Sequence, residues 1–257
     1  MKILLSSGSL EKESLDILFG LADKNNLHGI EWIMRSSGRQ PDCQLFKKLA
    51  DRHNIRIANV HAAFYTPVLF RSFSPLKNIA GLVNESADFA VSVGADKLVV
   101  HPFPALFSKK GARELMRNVL LDIKQKYKIG ILLENLEKRF IVGSLGFEPY
   151  CIIDYEELYR FAQENDFYLN LDTAHCATKN IAPSDFLKKY HKRIKGIHLS
   201  NFQDVCHRPL DEGNIDFEAF FALLKKCRYS ETLTLELNRE KAETVERNIN
   251  LIKGYLK

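Results

Sequence analysis

Side chains that can bind a proton or a metal ion recur in this sequence at one kind of place. Glu31 lies in Gly-Ile-Glu-Trp, His61 ends Asn-Val-His, and His101 follows Val-Val. Glu134 ends Leu-Leu-Glu, Asp172 ends Asn-Leu-Asp, His198 lies in Gly-Ile-His and Glu236 in Thr-Leu-Glu. His175 stands three residues past Asp172, and His207-Arg208 open the run His-Arg-Pro-Leu-Asp-Glu-Gly-Asn-Ile-Asp, residues 207–216. Singly, each has an ordinary explanation. A histidine after an apolar run is usually a hydrogen-bonded loop residue, and a glutamate in a strand usually faces water. Jointly, so many acids and imidazoles at the ends of apolar runs would be repulsive or unsatisfied once buried, unless a cation accepted their lone pairs. Glu134, Asp172, His198 and Glu236 offer three oxygens and one nitrogen, a shell that suits Mn²⁺, Mg²⁺, Co²⁺ or Zn²⁺ without choosing among them. His61, His101, His175 and His207 are candidates for a second metal position or for substrate binding. Arg208 is a candidate for substrate contact.

The elements that must position these groups are legible as an alternation. Apolar runs at Ile3–Leu5, Gly29–Ile33, Ile57–Val60, Lys97–Val100, Gly130–Leu133, Tyr168–Leu171, Ile194–Leu199 and Thr232–Leu237 are separated by stretches of helical periodicity. Several runs are continuous rather than alternating, as parallel strands buried on both faces require. Alternating βα units predict a parallel sheet. Eight strands and about 250 residues predict a closed (β/α)8 TIM barrel, a single domain over residues 1–257, with its site at the mouth where the strands end. Ile79, Leu82, Val83, Ala87, Ala90 and Gly94 predict one helix, begun by Ser74 as N-cap and Pro75. Asp154 with Glu157 predicts a capping box and Asp216 an N-cap. The last helix is predicted through Glu246 to Leu256.

Bulk properties exclude several classes. The 257 residues are 46% hydrophobic and 27% charged, ordinary for a globular protein. No apolar run approaches the ~20 residues of a membrane span. Ile3–Leu5 is too short for a signal-peptide core, so a cytoplasmic protein with no membrane partner is expected. Five scattered cysteines with no C-x-x-C argue against a disulfide framework or a thiolate zinc site. The net charge of +5 is mild for a binder of duplex DNA. Trp32, Phe64, Tyr65, Phe103 and Phe107 follow strand ends and are candidates for an apolar wall. Arg35, Arg39, Arg71 and Arg208 are candidates to hold a phosphate.

In order along nearly the whole chain, G-I-E-W (29–32), V-H (60–61), V-H-P (100–102), L-E-N (133–135), L-D-T-A-H (171–175), G-I-H-L-S (196–200), the 207–216 run and L-E-L (235–237) resemble the xylose-isomerase-like TIM-barrel superfamily. It includes sugar-phosphate isomerases and epimerases and also endonuclease IV. The resemblance implies that Glu134, Asp172, His198 and Glu236 bind one divalent metal, and that Glu134 and Glu236 act as acid and base on opposite faces of a sugar or sugar phosphate. The expected activity is a metal-dependent isomerase or epimerase working through an enediolate stabilised by the metal. The alternative is an endonuclease IV-like zinc phosphodiesterase at abasic sites in DNA, with His61, His101, His175 and His207 completing a multinuclear cluster. A non-catalytic barrel that binds metal or sugar is the third class. Glu31 after Gly-Ile is typical of the isomerase-like members. The nuclease's Asp two residues before the loop histidine is Val205 here, with Asp204 one position off. Members of the superfamily often pair, so a homodimer is an expectation.

Overall fold

The computed structural model describes residues 1–10, 14–35, 42–63, 75–105, 108–138 and 150–257. Eight parallel strands close into a barrel. These are β1 (Lys2–Ser6), β2 (Gly29–Ile33), β3 (Ile57–His61), β4 (Lys97–Val100), β5 (Gly130–Glu134), β6 (Tyr168–Asp172), β7 (Ile194–Leu199) and, after a short hairpin, β10 (Thr232–Leu235). The ring runs β1-β10-β7-β6-β5-β4-β3-β2, and the first strand pairs with the last through Lys2–Thr232 to Leu5–Leu235. All eight predicted strands are present; the last stops two residues short of the predicted Leu237.

Helices wrap the barrel: α1 (Leu15–Lys24), α2 (Cys43–His53), α3 (Pro75–Ser92), α4 (Lys109–Tyr127), α5 (Tyr155–Glu164), α6 (Thr173–Thr178), α7 (Pro183–Tyr190), α8 (Phe217–Lys226) and α9 (Ala242–Leu256). Local capping chemistry fixes their starts. Asp154 accepts from the Glu157 amide and Asp216 from the Ala219 amide, as their spacing predicts. Glu157 does not close the capping box, because its carboxylate is engaged by Arg113. Gly94 lies past the end of α3. Among the described residues, no helix is long and apolar enough to cross a membrane.

Strand alternation divides the chemistry. Leu5, Ile30, Val60, Leu98, Leu133, Leu171, Ile197 and Leu233 point outward and join the helices in one continuous apolar layer. The opposite parity carries Glu31, Asn59, His61, Glu134, Asn170, Asp172, His198 and Thr234 into the barrel, all buried. A Cβ at Gly196 would sit 2.4 Å from Asn170 Oδ1 and 2.8 Å from Leu132 Cδ2. Glycine there gives the Asn170 side chain its room inside the barrel.

The run after β7 is more structured than a plain loop. Asn201–Gln203 (β8) and Val205–Arg208 (β9) form a two-stranded antiparallel hairpin over the mouth. The buried Asn201 ties it down. Its Oδ1 accepts from the Phe202 and Ile215 amides, and its Nδ2 donates to the Leu210 carbonyl. A Cβ at Gly213 would lie 2.4 Å from Asn201 Oδ1, so the returning chain passes directly against this side chain.

Candidate metal centre

The C-terminal ends of the barrel strands gather all eight acids and histidines predicted to bind metal or to complete the site. Ligand atoms of Glu134, Asp172, His198 and Glu236 lie within 4.8 Å of one another, as do those of His61, His101 and Glu134, and of Asp172, His175 and His207. The groups overlap through Glu134 and Asp172. Arg208 stays outside them. Its guanidinium reaches Glu212 Oε2 at 2.9 Å and the Glu212 carbonyl at 3.2 Å, within its own loop.

Each imidazole is aimed by its other nitrogen or by a neighbouring charge. His61 Nδ1 donates to the Ala62 carbonyl at 2.8 Å, turning Nε2 toward Glu134 Oε2 at 3.2 Å. His175 Nδ1 donates to the Asn135 carbonyl at 2.8 Å. His207, half-buried in the hairpin, lies 3.2 Å from Ser200 Oγ through Nδ1. It holds a left-handed backbone, φ 62°, an uncommon conformation for a residue with a side chain.

Asp172 divides its carboxylate between two tasks. Oδ1 caps α6 by accepting from the His175 amide at 2.7 Å. That short helix then carries His175 back over the mouth one turn later. Oδ2 is buried and, within the structure, has no hydrogen-bond partner.

His198 sits at the centre. Its Nδ1 lies 2.7 Å from Glu236 Oε2, 3.3 Å from Glu134 Oε2 and 3.9 Å from Asp172 Oδ2. Despite these distances neither Nδ1 nor Nε2 of His198 has a hydrogen-bond partner of good geometry. On the far side, His198 Nε2 stands 2.6 Å from Glu31 Oε1. Glu31 is itself fully buried, and its Oε2 accepts from Asn59 Nδ2 at 2.9 Å and Thr234 Oγ1 at 3.1 Å. Four carboxylates with at most 6% exposure thus converge around one imidazole. That excess of buried negative charge, with an unpartnered oxygen and an unaligned nitrogen facing one space, is what a divalent cation compensates. The donor set fits such an ion.

The protonation pattern follows from burial and proximity. Burial favours neutral Glu134, but the charge of His198, with His101 and His175 close by, holds its carboxyl well below the usual range. Glu236 is likewise favoured neutral by burial, yet His198 brings it down to about 2. Burial raises the Asp172 carboxyl. His101 is depressed to about 4 by burial, so it is neutral at pH 7. His175 is driven downward by burial but pushed up to about 10 by Asp172 and Glu134. His198 is raised well above the usual imidazole range by Glu31, Glu134 and Glu236 in spite of burial.

Asn135, the Asn of Leu-Glu-Asn, is a support invisible in the list of ionisable residues. Buried at 0% exposure, its Oδ1 accepts from the Asp172 amide at 2.8 Å and its Nδ2 donates to the Asp172 carbonyl at 3.1 Å. Replacing it with Ala strands these backbone groups. Asn135→Ala is expected to lower unfolding stability by about 1–3 kcal/mol. Urea unfolding of the metal-free protein measures it, and an unchanged midpoint with unchanged slope refutes this role.

Other predicted wall residues divide. Phe103 is fully buried beneath the mouth, its amide against Met116 Sδ, and is core. Trp32 packs edge-on against Phe46 at 4.7 Å while also lining a cavity of about 640 Å³ beside Glu236 and His207. Phe64, Tyr65, Phe107, Arg39, Arg71 and Ser74 lie outside the described residues.

A family model described as "Xylose isomerase-like TIM barrel" matches residues 19–255. The chain belongs to the xylose isomerase-like TIM barrel family. Among curated relatives, an uncharacterized protein of Methanocaldococcus jannaschii is 26% identical over 223 residues, 81% of this chain and 73% of that one. Two solved structures share the family architecture. One is a D-tagatose 3-epimerase-like protein, with TM-score 0.74, 22% identity and coverage of 100% of this chain and 97% of that one. The other is the IolI protein with a bound zinc atom, with TM-score 0.75, 18% identity and coverage of 100% and 98%. At these identities the likeness is one of fold.

Proposed function

We propose that this member of the xylose isomerase-like family is a divalent-metal-dependent isomerase or epimerase acting on a hydroxy-carbonyl sugar. The observation that carries the reading is the buried Glu134-Asp172-His198-Glu236 group, in which two ionised glutamates flank a centre that requires a cation. A cation held by these four residues would supply Lewis acidity to adjacent sugar oxygens. Glu134 and Glu236 carry the proton work. One carboxylate takes the proton from the carbon beside the carbonyl, and the C–H electron pair passes into the carbon framework and onto the carbonyl oxygen. In isomerisation the glutamate that took the proton returns it to the former carbonyl carbon, the electron pair flows back to form the new C–H bond, and the adjacent hydroxyl proton passes to the old carbonyl oxygen. In epimerisation the other glutamate, protonated beforehand from solvent, delivers its proton to the opposite face of the same carbon.

Incorporation of deuterium from solvent at the carbon beside the carbonyl tests this reading. Exchange on a sugar or sugar phosphate by metal-loaded protein, absent after chelation, is the expected result. No exchange across a panel of ketoses and aldoses and their phosphates overturns it.

The His61-His101-Glu134 and Asp172-His175-His207 groups favour a second reading, a zinc phosphodiesterase acting at abasic sites, because each adds a site for a further ion. Two or three metals per chain, with incision of an abasic-site oligonucleotide, select it over the isomerase.

Metal loading is expected to release protons. His175 and His198 carry protons in the metal-free protein at neutral pH, and ligand nitrogens must lose them. Because both pKa values are raised, affinity falls toward lower pH and strengthens as pH rises toward about 10. Calorimetric titration in buffers of different ionisation enthalpy counts the protons released. A buffer-independent enthalpy at pH 7 contradicts this expectation.

A further inference from the structure

Beside the four-residue centre, the 640 Å³ cavity bordered by Glu236 and His207 is also lined by Ser7, Arg35, Asn238 and Arg239. Its volume suits one small ligand of drug or sugar-phosphate size. Its charge is asymmetric. At one end stands Glu236, already neighboured by His198. Two guanidiniums, Arg35 and Arg239, line the remainder. Among the described residues, no carboxylate forms an ion pair with Arg239.

The position of Arg239 is built. Its backbone is left-handed, φ 52°, an uncommon conformation for a residue with a Cβ. The strand end holding it is clamped on both sides. Ser9 Oγ accepts from the Leu237 amide at 3.0 Å, and the Ser9 carbonyl accepts from the Glu240 amide at 2.8 Å. The His207 carbonyl accepts from the Asn238 amide at 2.8 Å. Ser9 Oγ also donates to the Leu235 carbonyl at 3.0 Å. The turn from Glu236 to Glu240 is therefore anchored to β1's loop and to the hairpin. These hydrogen bonds fix the turn that carries Arg239 along the cavity wall. Past the end of β2 the amide of Met34 is fixed to the His61 carbonyl at 2.9 Å, and Arg35 follows it along the chain. Arginine offers a planar fork of donors matched to phosphate or carboxylate oxygens.

We infer that Arg35 and Arg239 form an anion-binding arm of the site, so that the substrate is a sugar carrying a negatively charged group, a phosphate ester or a carboxylate, at the end away from the reacting carbons. This rests on the isomerase reading for what happens at the metal end, but the arm is tested by binding alone. Metal-loaded protein is titrated calorimetrically with three ketoses sharing one hydroxy-ketone unit: a phosphate ester, a sugar acid and the neutral sugar. An anionic member is expected to bind at least about tenfold more tightly than the neutral one, since a hydrogen bond to a charged group contributes at that scale. Arg239→Gln and Arg35→Gln, both exposed positions, should each remove most of the preference while leaving the thermal midpoint unchanged. Preference for the ester over the acid identifies phosphate as the source of the charge, and the reverse identifies carboxylate. Equal affinity for all three, no binding, or a preference surviving both substitutions overturns the arm. Deuterium exchange on the neutral sugar with no anion preference refutes the arm and leaves the isomerase reading standing. Tight, arginine-dependent binding without exchange does the opposite.

Discussion

A Glu134→Gln variant is expected to lose about 10²- to 10⁴-fold of its solvent-proton exchange, the span that a positioned general acid or base contributes. Glutamine keeps the shape of the side chain and one carbonyl oxygen, so contacts with Asn170 Nδ2 at 3.2 Å and with His61 Nε2 at 3.2 Å have an oxygen to use. It removes the charge that accepts a proton and the charge that His198, His101 and His175 all face. Metal content, measured on the same preparation, separates two causes. Exchange lost with metal retained assigns Glu134 to proton transfer. Exchange lost together with the metal assigns it first to holding the ion. Exchange at the unmutated rate removes Glu134 from the acid/base pair. Glu236→Gln should show the same class of loss, because that carboxylate approaches the same His198 Nδ1 at 2.7 Å.

The second large effect is expected from a residue that is not itself grouped with the ligands. Glu31→Leu should weaken binding of a divalent cation about 10- to 100-fold, the usual cost of removing a carboxylate behind a ligating imidazole. Glu31 Oε1 stands 2.6 Å from His198 Nε2, while Oε2 is fixed by Asn59 and Thr234. This close charge contact sets Glu31 behind the imidazole, whose Nδ1 lies nearer Glu236, Glu134 and Asp172. Leucine removes the counter-charge and leaves Asn59 and Thr234 with a buried donor each. Glu31→Gln keeps an oxygen for those donors and should lose less. Calorimetric titration with Mn²⁺ or Zn²⁺ measures both, and equal affinity of Glu31→Leu and the unmodified chain would show that His198 needs no partner on that side.

The role of Glu31 marks where sequence reading ran short. It was legible as a strand residue typical of one branch, because a lone glutamate between Gly-Ile and Trp carries no sign of which face it takes. The information was present in parity. Asn59 and Thr234 are polar residues in otherwise apolar strands, and both fall in the inward register that contacts Glu31. The eight strands were readable because parallel strands buried on both faces give unbroken apolar runs such as Lys97–Val100 and Gly130–Leu133. The hairpin was not. Asn-Phe-Gln and Val-Cys-His-Arg are too short and too polar to set a period, and their order comes from Asn201 gripping the chain from Phe202 to Ile215. For the same reason His207 was recognisable as a loop histidine, while its strained φ and its approach to Asp172 Oδ2 at 4.0 Å come only from the folded hairpin.

The pairing of β1 with β10 sets an order of events during synthesis. The ligand group draws on β5, β6, β7 and the end of β10, and its last member, Glu236, directly follows the strand that closes the ring against Lys2–Leu5. Until Thr232–Leu235 has left the ribosome and docked, β1 lacks one neighbour and the carboxylates of Glu134 and Asp172 lack both Glu236 and a sealed wall. Ring closure joins segments more than two hundred residues apart, the kind of long-range pairing that forms late. A nascent barrel would therefore be a poor scavenger of a divalent cation, which the four proposed ligands could hold only in chains whose ends have met. Under the proposed function, metal occupancy would report completed folding, and a chain stalled before its final strand would lack the cation proposed to neutralise its buried acids.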